Sequence, residues 1–532
     1  MKKAIILFLT ALILAGCGPK NAVPAATDAG NGITSQPVSE TDDNKESEIL
    51  QIWKKDVTLQ DDFVPTQELG DLPFKELTTP ASEAVPVSIS LKSLEEVSHK
   101  IDSGKGGVSS EYAVAEMAED LKEQFPKIWA AMKNYNEFAE QNSVLEIADG
   151  ETRYNAYRAI DEVPSFLYLS SWTGIEITRA DSGILSFFRT AYRYNRGIEP
   201  DYHEIYGLTI DPATGRALSL NDIFTDTEKV PQLIWEALVR SGWRDDTDPD
   251  REEFVKILRT AVQGCREDGS FAWALDPLGI EFGLNEASTE DGTERHRRER
   301  AYIPFSMCEE ILRPGISGTA YDYMVHLTAK DVEGVTGYSI PSPESGNIYN
   351  AYYIVQKSGV RYLYCTTDNH SDLYRITEEE PEKAGKIDAE ISHEHFDHMS
   401  TPLSPDSCKL YKTANLLQEL FLEADAHLSD DGMAVRDGYY ELKTNPMPII
   451  TGKAFEAEIF EDSDSKESAT GTVPEYSILT IVRSDGESFI DCKMEDSEQI
   501  ARLFVEEDDA GGWTVNGLPA DEVIAQQGWM EE

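Results

Sequence analysis

The sequence predicts an α+β fold, with an antiparallel sheet carrying helices on one face over residues 85–317 and a mainly β region over 318–532. Three observations carry this expectation. Val230, Leu233, Ile234, Ala237 and Leu238, and then Phe254, Ile257, Leu258, Ala261 and Val262, recur at helical steps of three and four. Directly afterwards, Phe271, Trp273 and Leu275 alternate, Asp276-Pro277-Leu278-Gly279 turns, and Ile280, Phe282 and Leu284 alternate back as a hairpin. Beyond 318 the alternating segments dominate. Helices grouped beside antiparallel strands bury their apolar stripes on one side of the sheet, which defines the class. A chain of 532 residues has room for two or three such cores.

Composition narrows the function. Acidic residues number 98 against 47 basic, a formal net charge of −51. Such a surface repels nucleic-acid phosphates and anionic lipid headgroups and attracts cations or cationic proteins. With 40% hydrophobic residues the chain is too polar for an integral membrane protein, and 9% aromatics is too many for wholesale disorder.

The N-terminus carries an address. Lys2 and Lys3 precede an apolar run over 4–15, too short for a span of about 20 residues but suited to a signal segment. It ends Leu14-Ala15-Gly16-Cys17, which resembles the bacterial lipobox, where cleavage leaves the cysteine to carry a diacylglycerol. The expectation is therefore a lipoprotein signal over 1–17, lipidated at Cys17. Two acyl chains at about 0.8 kcal/mol per buried methylene anchor stably where one is marginal. The mature protein would stand on the extracytoplasmic face of the cell membrane, with no other candidate span. Residues 18–48 hold almost no large apolar side chain and read as a disordered tether, reaching roughly 30 Å as a coil. An irregular lead-in continues to residue 84.

Along the folded part, residues 85–91 alternate as a strand, and Val114, Met117, Ala118, Leu121 and Phe125 form a helical stripe. Pro126 opens a further helix with Ile128, Trp129, Met132 and Tyr135 inside. Residues 165–192 read as two or three strands. Segments 206–210 and 216–220 are joined by the turn Asp211-Pro212-Ala213-Thr214-Gly215. Asp250 with Glu253 caps the second of the two later helices and Gly264 stops it. Ala301 to Phe305 form a strand, and Ser306-Met307-Cys308-Glu309 is a capping box. In the C-terminal region 349–356 and 360–366 form a hairpin, 372–377 a strand, 413–424 a helix, and 476–483 with 488–493 a hairpin about Ser484-Asp485-Gly486-Glu487.

The middle of the chain resembles a known family. Tyr206-Gly207-Leu208-Thr209-Ile210-Asp211-x-x-Thr214-Gly215-x-x-Leu218-x-Leu220-x-Asp222-Ile223-Phe224 is similar to the opening of the C-terminal, extracytoplasmic domain of the RsiV lysozyme-binding anti-sigma factors. The likeness runs on to Tyr302-Ile303-Pro304-Phe305. Upstream, Phe125-Pro126-Lys127 with Tyr135-Asn136, and Arg179-Ala180-Asp181-Ser182 with Leu185-Ser186, are similar to the module that precedes it in many exported proteins. The resemblance covers about 110–315 and implies an α+β fold and non-catalytic ligand binding. Here Tyr194-Asn195-Arg196-Gly197 stands where relatives often carry Gly-Gly-x-His. Neither a cytoplasmic anti-sigma segment nor a spanning helix is evident, so signalling across the membrane is not expected.

His393-Glu394-His395-Phe396-Asp397-His398 matches the His-x-His-x-Asp-His signature of metallo-β-lactamase-fold hydrolases, whose zinc activates water. The candidate ligands are His393, His395, Asp397, His398 and, 29 residues on, His427. The further ligands such an enzyme needs are missing, and polar strand residues are the competing reading. Other constellations read as scaffold. Arg295-His296-Arg297-Arg298-Glu299-Arg300 is a basic run neutralised by neighbours. Asp246-x-Asp248-x-Asp250 lacks the glycine and terminal glutamate of a calcium loop. Glu378-Glu379-Glu380, Asp462-x-Asp464 and Glu506-Glu507-Asp508-Asp509 are solvated loops. Beyond Cys17, Cys265, Cys308, Cys365, Cys408 and Cys492 are widely spaced, without a Cys-x-x-Cys pair, and mostly buried thiols are expected.

The expected function is a lipid-anchored surface protein that binds, without catalysis or cofactor, a cationic protein such as lysozyme or another envelope ligand. The alternatives are a zinc hydrolase centred on His393, His395 and His398, and a structural envelope lipoprotein.

Overall fold

The computed structural model describes residues 74–100, 106–158, 167–195, 202–263, 271–290, 293–342, 349–368, 370–392, 399–400, 404–443, 446–495, 497–507 and 511–527. It is α+β, with four sheets that are antiparallel but for two pairings, and a mainly β C-terminal region.

The first sheet contains β1 (Ser90–Lys100), β2 (Gly106–Glu116), β3 (Leu167–Ala180), β4 (Leu185–Asn195), β5 (Tyr202–Asp211) and β6 (Arg216–Ala217) in sequence order. Between β2 and β3 run a short helix α1 (Glu119–Gln124) and the long α2 (Pro126–Arg158). Because α2 carries the chain back along the sheet, β2 and β3 pair parallel, a departure from the all-antiparallel sheet expected. The stripe expected from Val114 to Phe125 is not one helix. Val114 lies in β2, and the helix starts only at Glu119. Ile128, Met132 and Tyr135 of α2 are buried on the sheet beside Ile177, Phe187 and Leu208.

Next come α3 (Leu220–Ile223), α4 (Val230–Arg240) and α5 (Arg251–Gln263), then the three-stranded sheet β7 (Phe271–Leu275), β8 (Gly279–Glu290) and β9 (Thr293–Pro304). The stripes of α4 and α5 meet Phe271, Trp273, Phe282 and Ile303 in one core. Gly264, the expected stop, lies outside the described residues. A side chain at Gly207 on β5 would strike the Trp273 backbone, its Cβ 2.2 Å from the carbonyl oxygen, so glycine there lets the two sheets touch. The helix α6 (Phe305–Cys308) begins two residues earlier than the capping box implied. Its N-cap is Pro304, and the Ser306 hydroxyl instead donates to the Gly334 carbonyl.

The five-stranded sheet follows: β10 (Tyr323–Leu327), then α7 (Ala329–Thr336), β11 (Ala351–Lys357), β12 (Val360–Thr366), β13 (Ser371–Arg375) and β14 (Glu382–Ile387). It is covered on both faces. Ile354, Leu363 and Tyr374 pack with Tyr302 and Val332, whereas Tyr353, Val355, Tyr362, Tyr364 and Leu373 join the C-terminal core.

That core is one face of a fourteen-stranded sheet. It comprises β15 (Glu390–Ser392), β17 (Cys408–Leu416), β18 (Gln418–Leu428), β19 (Ala434–Arg436), β20 (Tyr440–Leu442), β21 (Ile449–Thr451), β22 (Phe455–Phe460), β23 (Ser468–Val473), β24 (Ile478–Ser484), β25 (Phe489–Met494), β26 (Ile500–Glu507) and three short closing strands. Its main path is β15-β17-β18-β20-β24-β25-β26-β22-β23. The intervening β16 (Met399–Ser400) leaves this sheet and pairs parallel with β3 at Ile175 and Glu176. The helix expected over 413–424 is a hairpin instead. Leu416 pairs Gln418, and Leu417 turns between them at φ 65°. Leu420, Leu422, Ala424 and Ala426 are buried at alternate positions, and Phe421 between them is exposed. The expected hairpin at 484–487 is present as β24 and β25.

Candidate functional site

The residues singled out for chemistry fall into two groups, and a third feature of the surface lies outside both. Cys17 and the run His393, His395, Asp397 and His398 lie outside the described residues. The chain enters that run from Ser392 in the C-terminal sheet and leaves it at Met399 beside β3, so its two ends are held by different sheets. His427 stands on β18, with its Nδ1 2.8 Å from Asp437 Oδ1, both partly in solvent. No His, Cys, Asp or Glu cluster able to hold a metal occurs among the described residues.

The second group is scaffold. In the α4–α5 loop, Asp248 Oδ1 accepts the Asp250 amide (3.1 Å), and Asp245 Oδ1 accepts the Thr247 amide and hydroxyl at 2.9 and 2.7 Å. These carboxylates close turns. The basic run lies in β9, a strand whose backbone register sets Arg297 against Glu286, and the Arg300 side chain pairs Glu281 at 2.9 Å. Cys308, Cys365, Cys408 and Cys492 are buried free thiols. Burial pushes those of Cys308 and Cys408 up to about 12, so they are poor nucleophiles at neutral pH. Cys265 lies outside the described residues.

The motifs that carried the family resemblance also build the fold. Asp181 and Arg179 are wholly buried. Asp181 Oδ1 accepts the amides of Gly183 and Ile184 at 2.8 and 2.7 Å, while Oδ2 accepts Arg179 Nε (2.7 Å) and the Tyr321 hydroxyl (2.8 Å). One carboxylate thus shapes the β3–β4 turn and ties it to the start of the C-terminal region. Asp222 Oδ2 accepts from Ser219 and Arg216, and its Oδ1 accepts the Lys75 amide; Asp211 accepts the Thr78 hydroxyl. Of the lead-in, residues 74–84 are described; they include a 3-10 turn at Ala81–Glu83 and are strapped down through these contacts. Gly215 sits at φ +74°, the left-handed value its turn requires. Asp276, in the β7–β8 turn, is raised to about 6 by burial, against the pull of the Leu278 amide, the Tyr302 hydroxyl and the Gly279 amide.

The third feature was not foreseen. Across the solvent side of the C-terminal sheet, register aligns Glu390, Tyr411, Glu423, Glu441, Arg483, Asp491, Arg502, Glu458 and Thr470 in one transverse row over nine strands. Alternation puts the others on the face opposite the Leu422, Ile490, Cys492 and Leu503 core, and a register shift between Ile481 and Arg483 on β24 brings Arg483 to the same side. Asp491 has no exposure and anchors the row. Arg483 Nε and Arg502 Nη2 both bond its Oδ2, at 2.7 and 2.9 Å, and Arg502 Nε bonds Oδ1 at 2.7 Å. The Arg502 guanidinium lies 3.7 Å from the Phe489 ring centre, 4.9 Å from Phe460 and 5.2 Å from Tyr439. Burial disfavours its charge, but the Asp491 bonds more than offset this, and it stays firmly protonated. Tyr439 and Phe504 each meet Phe489 edge-on, with centroids 5.5 and 6.1 Å apart, and each is 41% exposed. This is a rigid surface of rings and fixed charges with no nucleophile and general base in contact. Its sequence signal was the outward position of each strand, Phe489-x-Asp491 and Arg502-x-Phe504, which alternation identifies only once the inner face is known.

No protein-family model matches the chain, and no curated protein matches it. Among solved structures it is similar to two bacterial proteins of the DUF3298 family. One, from Bacteroides fragilis, is 17% identical, with 44% of this chain and 96% of that one covered and a TM-score of 0.30. The other, from Pseudomonas aeruginosa PAO1, is 11% identical, with 44% of this chain and 97% of that one covered and a TM-score of 0.26.

Proposed function

We propose that the protein is a lipid-anchored, extracytoplasmic binding protein of the cell surface, with an RsiV-like middle domain, that takes a cationic protein such as lysozyme without catalysing a reaction. The observation that carries this reading is where the charge goes. The buried acids are engaged internally: Asp181 by Arg179, Glu146 by Arg193, Glu281 by Arg300, Asp491 by two arginines. Among the described residues the surplus acids are therefore left to the surface, where, in a chain of net charge −51, they speed encounters with cationic partners.

Two measurements test it. Labelled fatty acid should follow the wild-type chain in cells and be lost on Cys17→Ser, which should also release the protein from the membrane; unchanged labelling removes the anchor. Titration with a cationic protein at low salt should show binding that weakens steeply as salt rises. Binding no stronger than that of an unrelated, equally acidic domain removes the ligand. About one tightly held zinc per purified chain, lost on His395→Ala, would favour the hydrolase instead.

A further inference from the structure

We infer that the solvent face around Tyr439 and Phe504 is the docking surface for that cationic partner, with the two rings as anchors for its lysine and arginine side chains. This deepens the binding reading and rests on it. Three features of the face converge.

The first is rigidity. Both rings stand on or beside central strands of the sheet, packed edge-on against Phe489, which is itself stacked on the Arg502 guanidinium fixed by buried Asp491. A surface locked in this way loses little side-chain freedom when a partner arrives, so more of each contact appears as affinity. The second is exposed aromatic area. Tyr439 touches both guanidiniums and still keeps 41% of its surface in water, as Phe504 does. Tyrosine and other rings at the centre of a patch are the residues on which binding energy concentrates. The third is charge. Exposed Glu441 and Glu506 follow Tyr439 and Phe504 two residues along their strands, on the same face, and Glu458 lies opposite Arg502. Arg483 and Arg502 share Asp491 beneath the rings, and Lys493 on the same face is held by Glu498 at 2.7 Å, so what Glu441 and Glu506 add for a newcomer is carboxylate. A ring face beside a carboxylate suits a lysine or arginine head, by cation–π attraction and ion pairing together. An apolar partner would leave those carboxylates unpaired, and an anionic one would be repelled.

The test uses the whole chain in detergent and a dodecapeptide of alternating arginine and glycine as the probe. Wild type should bind it with a steep salt dependence. Tyr439→Ala and Phe504→Ala should each weaken binding about fivefold to twentyfold. Tyr439→Leu, which keeps apolar packing but lacks the ring, should weaken it comparably. Glu441→Gln with Glu506→Gln should flatten the salt dependence. Tyr476→Ala, an exposed ring elsewhere in the same region, should stay within twofold. Wild-type affinity in the ring variants overturns this docking surface and leaves the binding reading standing. No binding by wild type removes the electrostatic reading and the surface with it.

Discussion

Asp491 shows how much one side chain can decide. It sits between Arg483 and Arg502 in a nine-residue row, wholly buried, and is the acceptor both share. Removing one member of a buried ion pair typically costs about 3–5 kcal/mol, because the remaining charges lose their compensation. Asp491→Asn is therefore expected to lower the urea midpoint by a shift equivalent to about 3 kcal/mol, with the m-value unchanged. A change below about 1 kcal/mol would mean that the rings, not the carboxylate, hold the guanidiniums. Asp181 and Asp222 make the same point for the resemblance. The aspartates that make the middle of the chain look like a binding domain spend their oxygens on the backbone amides and side chains of their own fold. They are signatures of architecture rather than of a ligand.

At the level of elements, the helix expected over 413–424 and the observed hairpin are separated by a single residue. Leu416, Leu417, Leu420, Phe421 and Ala424 recur at helical spacing, while Leu420, Leu422, Ala424 and Ala426 recur at strand spacing. The two readings disagree about Leu422 and Phe421. In the hairpin, Leu422 is 1% exposed and Phe421 47%. Leu422→Ala should cost about 2–5 kcal/mol by leaving a cavity, and Phe421→Ala less than about 1 kcal/mol, as measured by urea unfolding. The reverse order would restore the helix. By contrast, α4, α5 and the β7–β8 hairpin were legible from the residues alone. Each has one buried face and one periodicity, and Asp276-Pro277-Leu278-Gly279 marks the turn. The strand at 106–116 was missed because the short helix α1 follows within three residues, and its apolar residues continue the strand's into one apparent stripe.

The molecule as a whole is joined through the five-stranded sheet, whose two faces belong to different cores. Cys365 lies on the face toward Tyr302, and Cys408 and Cys492 lie in the C-terminal core. If the shared sheet couples the cores, these three thiols should become reactive to a thiol reagent at the same urea concentration, and none should react in native buffer. Labelling of Cys408 and Cys492 well before Cys365 would show that the C-terminal region unfolds by itself. The excursion of β16 onto β3 is a second tie between the regions that no local pattern announces.

By itself the sequence determined the fold class, the turns at 276–279 and 484–487, and the acidic balance. These depend on neighbours within a few residues or on a plain sum of charges. Only the tertiary structure decided the parallel pairing of β2 with β3, the hairpin at Leu417, and the meeting of Tyr439, Phe489, Asp491 and Arg502. Each of those is settled by which face a distant strand covers, and an alternating pattern tells that two faces differ without telling what will lie against either.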